Sequence, residues 1–154
     1  MAASKRKEVK QSEHPKSMYV GQTEDPDHYY DKHPTWCFNS CDKSMWGFTK
    51  DHIGDVFWSE ILPFLQGLET QTWKEILVGA KKHHHSINVA HLNAAAQKRL
   101  VERYIEADAV VSLSLSGTHR IYGYMNESVF NVLWYDENHG DNAHCVCRSN
   151  KKHT

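Results

Sequence analysis

The residues best suited to chemistry in this sequence are its histidines, of which there are 12. Three are consecutive, His83, His84 and His85, and they follow Lys81 and Lys82. Imidazole moves protons well near neutral pH because its unperturbed pKa lies there. A metal-free ribonuclease needs a base for the ribose 2′-hydroxyl proton and an acid for the departing 5′-oxygen, and two histidines beside a cation meet that need. Lys81 and Lys82 add local positive charge for a phosphate backbone. Consecutive side chains on a strand alternate, so His83 and His85 would share one side and His84 would take the other. His91, His119, His139 and His144 complete the candidates. His139 ends the run Asp136-Glu137-Asn138-His139, which reads as a turn after a strand and would set the imidazole at a sheet rim.

A second group lies in the stretch 119–125, where Arg120, Tyr122 and Tyr124 alternate with Ile121, Gly123 and Met125. Arginine grips phosphate through a planar fork of donors, and tyrosine rings stack on unpaired bases. His83, His85, Arg120 and His139 are therefore the candidate catalytic residues, and Lys81, Lys82, Tyr122 and Tyr124 the candidate substrate-binding ones. The ordinary structural account is that the tyrosines are strand residues and Arg120 caps a rim. Gly123 suits either a close approach or a bulge.

Cys145 and Cys147 beside His144 and His139, with Cys37 and Cys41 upstream, could supply zinc ligands, but neither cysteine pair has the CxxC spacing. Four reduced thiols are expected, with no metal or other cofactor. The acidic residues Asp108, Asp136, Glu137 and Asp141 show no paired-carboxylate spacing of a two-metal nuclease.

These residues must be held by a small fold. A chain of 154 residues with 40 % hydrophobic content suits one domain with a real core. The net charge of −1 rules out global electrostatic attraction to nucleic acid, but not a local basic patch. No secretory signal and no apolar run of membrane-spanning length is present, so a cytoplasmic protein without a membrane partner is expected. Residues 1–34, with the basic run Lys5, Arg6, Lys7 and Lys10 and an acidic run at Glu24, Asp25 and Asp27, read as a flexible tail, leaving 35–154 as the domain.

Within that domain, Trp36 and Phe38 alternate as on a short strand. Helical spacing runs from about residue 49 to 61, with Pro63 either ending the helix or kinking it. A short helix capped by Thr70 and closed by Gly79 follows, and then a helix over 93–108 capped by Asn93. The segment 81–86 is a loop or a short strand. Three strands close the chain: 110–116, 119–125 and 129–135. Their short turns predict antiparallel pairing. On the last strand, Phe130, Val132 and Trp134 should share one face, and Val129, Asn131, Leu133 and Tyr135 the other. The expected class is α+β, with N-terminal helices followed by a three- to four-stranded antiparallel sheet.

The segments TWCF, TWKEI…KKHHHSI and LSLSGTHRIYGY…VFNVLWYDENH…CVCRSNKKHT, spanning roughly 35–154, resemble a family of small bacterial and phage proteins. More distantly, the strand HRIYGY followed by VFNVLWYDENH resembles the RelE/ParE toxin superfamily. That resemblance implies a RelE-like fold and metal-independent cleavage of messenger RNA, ribosome-bound in RelE-type members. Arg120 would contact the scissile phosphate, Tyr122 or Tyr124 would orient or stack the substrate, and His139 would be a late acid or base. The triple histidine and the sparse lysine and arginine depart from that pattern. The alternative is a non-enzymatic module that binds RNA, an antitoxin or a host protein through the sheet or through Trp36, Trp46 and Trp134.

Overall fold

A computed structural model describes residues 28–141 and 144–147. The expected tail therefore lies outside the described residues over 1–27, including the basic run. The folded unit begins earlier than residue 35, because Tyr29 and Tyr30 pack on the core and the Lys32 carbonyl accepts the Trp73 N–H at 2.9 Å.

The fold is α+β, built on one sheet of five strands rather than three or four. The strands are β1 (Thr35–Cys37), β2 (His84–Asn88), β3 (Ala109–Ser116), β4 (His119–Asn126) and β5 (Val129–Asp136), in the spatial order β1-β5-β4-β3-β2. Strands β2 to β5 pair antiparallel, and β1 joins the outer edge of β5 in parallel. The helices are α1 (Lys50–Ile53), α2 (Leu62–Leu68) and α3 (Ala94–Glu102). They are interspersed with strands, since β1 precedes all three and β2 comes before α3.

Local sequence explains most boundaries. Thr49 caps α1 by accepting the His52 N–H. A π-helical turn, Phe57–Ile61, runs directly into α2, and its wide i→i+5 bond from the Leu62 N–H to the Phe57 carbonyl ends at the residue before Pro63, which has no N–H to donate. Pro63 thus neither ends nor interrupts the helical segment. Thr72, not Thr70, caps the next turn. Its hydroxyl accepts the Glu75 N–H at 3.2 Å, while Glu75 accepts the Thr72 N–H at 2.8 Å, a reciprocal capping box. Asn93 caps α3 through the Ala95 N–H. That helix stops at Glu102, short of residue 108, and Tyr104 adopts a left-handed φ of 60°.

Both faces of the sheet are covered. On the first, Val111, Leu113, Ile121, Phe130, Val132 and Tyr135 pack under α1, α2, Trp73 and Ile76. On the second, Val110, Tyr122, Tyr124, Leu133 and Trp134 pack under Ala96 and Leu100 of α3 and Val146. The expected alternation of β5 breaks at a bulge. Tyr122 opposes Trp134 while Gly123 opposes Val132, so Leu133 is the extra residue. Trp134 consequently turns away from Phe130 and Val132 to join Leu133 on the second face, and Tyr135 returns to the first. Gly123 sits beside this bulge because nothing larger fits. A Cβ there would lie 2.4 Å from the Asn131 carbonyl oxygen and 2.5 Å from the Phe130 ring.

Candidate functional site

The register brings several of the candidate residues together. On the second face, His85 opposes Ser112 and Ser112 opposes Tyr122, forming one cross-strand row that ends at Trp134. In the next row Ser114 opposes Arg120, and Arg120 opposes Asp136. The Ser114 N–H reaches the His83 carbonyl at 3.2 Å, which brings the histidine run to the end of this row. His139 arrives from the chain leaving β5, where its N–H donates to the Thr118 carbonyl at 3.0 Å and the Thr118 hydroxyl donates to the Glu137 carbonyl at 2.7 Å. His85 and Arg120 thus project from the second face two strands apart, and His139 lies near enough to feel the charge of both.

Electrostatics agrees with that grouping. The pKa of His139 is lowered first by burial and then by the charges of Arg120 and His85. Asp136 is pushed up by burial, against backbone donors Val146 N–H at 2.7 Å and Asn138 N–H at 2.8 Å that hold its two oxygens. Burial and the nearby Asp136 raise the Tyr122 phenol above the ordinary tyrosine range, while a side-chain hydrogen bond with Ser112 and the charge of Arg120 oppose the shift. Arg120 is half-buried. Its Nη1 donates to the Gly117 carbonyl at 2.7 Å and the His119 carbonyl at 3.0 Å. It forms no ion pair with a carboxylate among the described residues.

The remaining candidates divide differently. Lys81, Lys82 and His83 are exposed on the turn before β2. His84 turns to the first face against Phe64, where burial, then the neighbouring His83, His85 and Arg120, push its pKa down to about 4. Tyr122 and Tyr124 do not present their rings for stacking. Both are buried under α3, and the Tyr124 hydroxyl is bound to Ser40 at 3.0 Å. A strand residue beside an arginine looks available in sequence only while the covering helix is unknown. The aromatic set Trp36, Trp46 and Trp134 is likewise absorbed by packing. Trp36 stands edge-on to Trp73 and Phe130, and Trp46 edge-on to Trp134.

Among the described residues, no group of three or more His, Cys, Asp or Glu side chains is arranged to hold a metal ion. Cys145 and Cys147 are bridged, which corrects the expectation of four reduced thiols. A bend at Val146 brings the two Cα atoms to 5.3 Å, within disulfide range. Cys37 and Cys41 are free, and burial pushes the Cys41 thiol up to about 12. No helix among the described residues is long and apolar enough to cross a membrane.

A cluster on the first face had no signature in the sequence. A His119 ring nitrogen and the Tyr135 hydroxyl are hydrogen-bonded, and His52 packs against the Tyr135 ring. His52 Nδ1 donates to the Gly47 carbonyl at 2.8 Å, and its Nε2 faces Glu137 at 3.5 Å. Burial, then Glu137, Glu60 and Asp136, raise Tyr135 to about 12. Residues 52, 119 and 135 meet only through tertiary packing, so no local spacing announces them. Comparison with protein-family models, curated proteins and solved structures finds no match for this chain.

Proposed function

We propose that this protein is a metal-independent endoribonuclease, toxin-like in acting on messenger RNA, with its reaction centre at His85, Arg120 and His139. The observation that carries this reading is that His85 and Arg120 share one sheet face and that the charges of both act on the partly buried His139. His139, whose pKa burial and neighbouring positive charge lower, is neutral at pH 7 and takes the 2′-hydroxyl proton. The 2′-oxygen attacks phosphorus, the bond to the 5′-oxygen breaks, and His85 protonates that oxygen. The products are a 2′,3′-cyclic phosphate and a 5′-hydroxyl. Arg120 balances the charge that develops on the phosphorane oxygens. Lys81 and Lys82, exposed before β2, hold the flanking backbone. Tyr122 and Tyr124 have no stacking role here. The earlier likeness to the RelE/ParE superfamily is consistent with this chemistry and with a ribosome-bound substrate.

The test is cleavage of labelled single-stranded RNA in EDTA, alone and with translating ribosomes, by the parent and by Arg120→Ala, His85→Ala and His139→Ala. Each histidine substitution should slow cleavage by about 10²- to 10⁴-fold in a folded protein.

A second reading, a binding module for an antitoxin or host protein, has one observation in its favour. Trp58 is 69 % exposed beside a groove of about 360 Å³ lined by Phe48, Thr49, Lys50, Ile53, Gly54 and Phe57. Partner binding that is lost in Trp58→Ala and untouched by the histidine substitutions would favour it.

A further inference from the structure

His139 Nδ1 is buried and has no hydrogen-bond partner among the described residues. Histidines that move protons are ordinarily aimed by a second group on that nitrogen. With no such group, the position of the ring depends on where its backbone is fastened. Two hydrogen bonds to one residue do the fastening. The His139 N–H donates to the Thr118 carbonyl at 3.0 Å, and the Thr118 hydroxyl donates to the Glu137 carbonyl at 2.7 Å. Thr118 lies in the turn between β3 and β4, where Gly117 adopts a left-handed φ of 51°. The carbonyls on either side of it, those of Gly117 and His119, accept Arg120 Nη1 at 2.7 Å and 3.0 Å. Three successive carbonyls of one turn thus hold two of the proposed reacting residues.

We infer that Thr118 is a positioning residue for the proposed cleavage, a role that rests on the ribonuclease reading above. Its hydroxyl and carbonyl clamp the Glu137–His139 segment to the turn that also holds Arg120. Thr118 touches no reacting atom and acts through His139. Burial lowers the pKa of that imidazole, followed by the charges of Arg120 and His85. A segment that drifts from the turn loses burial and the nearness of Arg120, and the imidazole returns toward its ordinary value. Other contacts keep the segment folded without the hydroxyl. The Asp136 carboxylate accepts the Asn138 N–H at 2.8 Å, and Glu137 faces His52 Nε2 at 3.5 Å. Thr118 is exposed, so losing its side-chain bond costs the fold little.

Thr118→Val removes the donor and keeps the shape of the side chain, and Thr118→Ser restores the donor. Two readouts are taken on the full chain. One is the NMR titration of the His139 ring without RNA, its signal assigned by its absence in His139→Gln. The other is cleavage of labelled RNA in EDTA, alone and with translating ribosomes. In Thr118→Val the His139 pKa should rise toward the ordinary histidine value. Its kcat should fall about tenfold with KM unchanged, because a misplaced base is felt in the chemical step and not in binding. Thr118→Ser should match the parent in both readouts. An unchanged His139 titration in folded Thr118→Val overturns the clamp, as does a serine variant that behaves like the valine one. A shifted titration with cleavage at the parental rate overturns the positioning role. A titration that shifts as expected in a chain that cleaves no RNA keeps the clamp and removes the ribonuclease.

Discussion

Acid should weaken this fold through one buried side chain, His84. It is 8 % exposed, packed against Phe64, and its ring Nδ1 accepts the Ser114 N–H at 3.1 Å, an interaction that requires the neutral ring. Its pKa is about 4 in the fold against 6.5 as the reference value. Between those two values the unfolded chain holds the extra proton and the folded chain does not, so stability rises with pH. The contribution is fully present above about pH 6.5 and is lost as pH falls toward 4. At pH 5 the difference amounts to about 2 kcal/mol by linkage. For a chain of this size that is a fall of roughly 4–8 °C in thermal midpoint. The comparison is His84→Phe, which fills the same space against Phe64 and cannot titrate. Ser114 N–H keeps its second acceptor, the His83 carbonyl. Thermal or urea unfolding of both proteins at pH 7 and pH 5 gives the answer. The parent should lose about 2 kcal/mol more than the variant, and parallel losses in the two would refute the reasoning.

Three further outcomes follow from the packing. Gly123→Ala forces a Cβ to within 2.4 Å of the Asn131 carbonyl, a backbone atom that cannot yield without disturbing the β4–β5 ladder. Destabilisation of about 3 kcal/mol or more is expected in chemical denaturation, and a near-neutral effect would mean the bulge is not formed as described. Asp42, wholly buried, accepts from Arg99 Nε at 2.8 Å, Arg99 Nη2 at 3.1 Å, Trp134 Nε1 at 3.0 Å and the N–H groups of Ser44 and Met45. These bonds outweigh its burial and lower its pKa to about 2. Asp42→Ala should cost about 3 kcal/mol, measured by urea unfolding, because it strands the buried Trp134 indole N–H and removes one partner of Arg99, which keeps Glu102. Alkylation of denatured, unreduced protein followed by mass spectrometry should label Cys37 and Cys41 alone, with Cys145 and Cys147 labelled only after a dithiol is added. Labelling of all four without reductant would contradict the bridge.

Features set by local spacing were legible in the sequence, and features set by tertiary packing were not. The serine–aliphatic alternation of β3 and the turns at 117–118 and 127–128 announce the meander, and Asn93 announces the start of α3, because each depends on neighbouring residues. The Leu133 bulge is invisible to a period-two reading, and it reverses Trp134. β1 finds its parallel partner some ninety residues away, and its three residues carry too little pattern to say so. The same distinction governs the site. Arg120, His85 and His139 were identifiable by residue type, and the register puts Arg120 and His85 on one face. The same logic points to Tyr122 and Tyr124, yet α3 and Val146 cover that stretch of the face. Alternation says which residues share a face; it does not say what lies on top of it. The His52–Tyr135–His119 cluster needed three separate elements to fold before it existed.

Ribonuclease chemistry at His139 is measured directly by RNA cleavage in EDTA with tag-free protein, with and without translating ribosomes, alongside His139→Ala checked for folding. The parent should give discrete fragments ending in 2′,3′-cyclic phosphate, and the folded variant should lose at least about a hundredfold. No cleavage under either condition, or cleavage undiminished in His139→Ala, would contradict it.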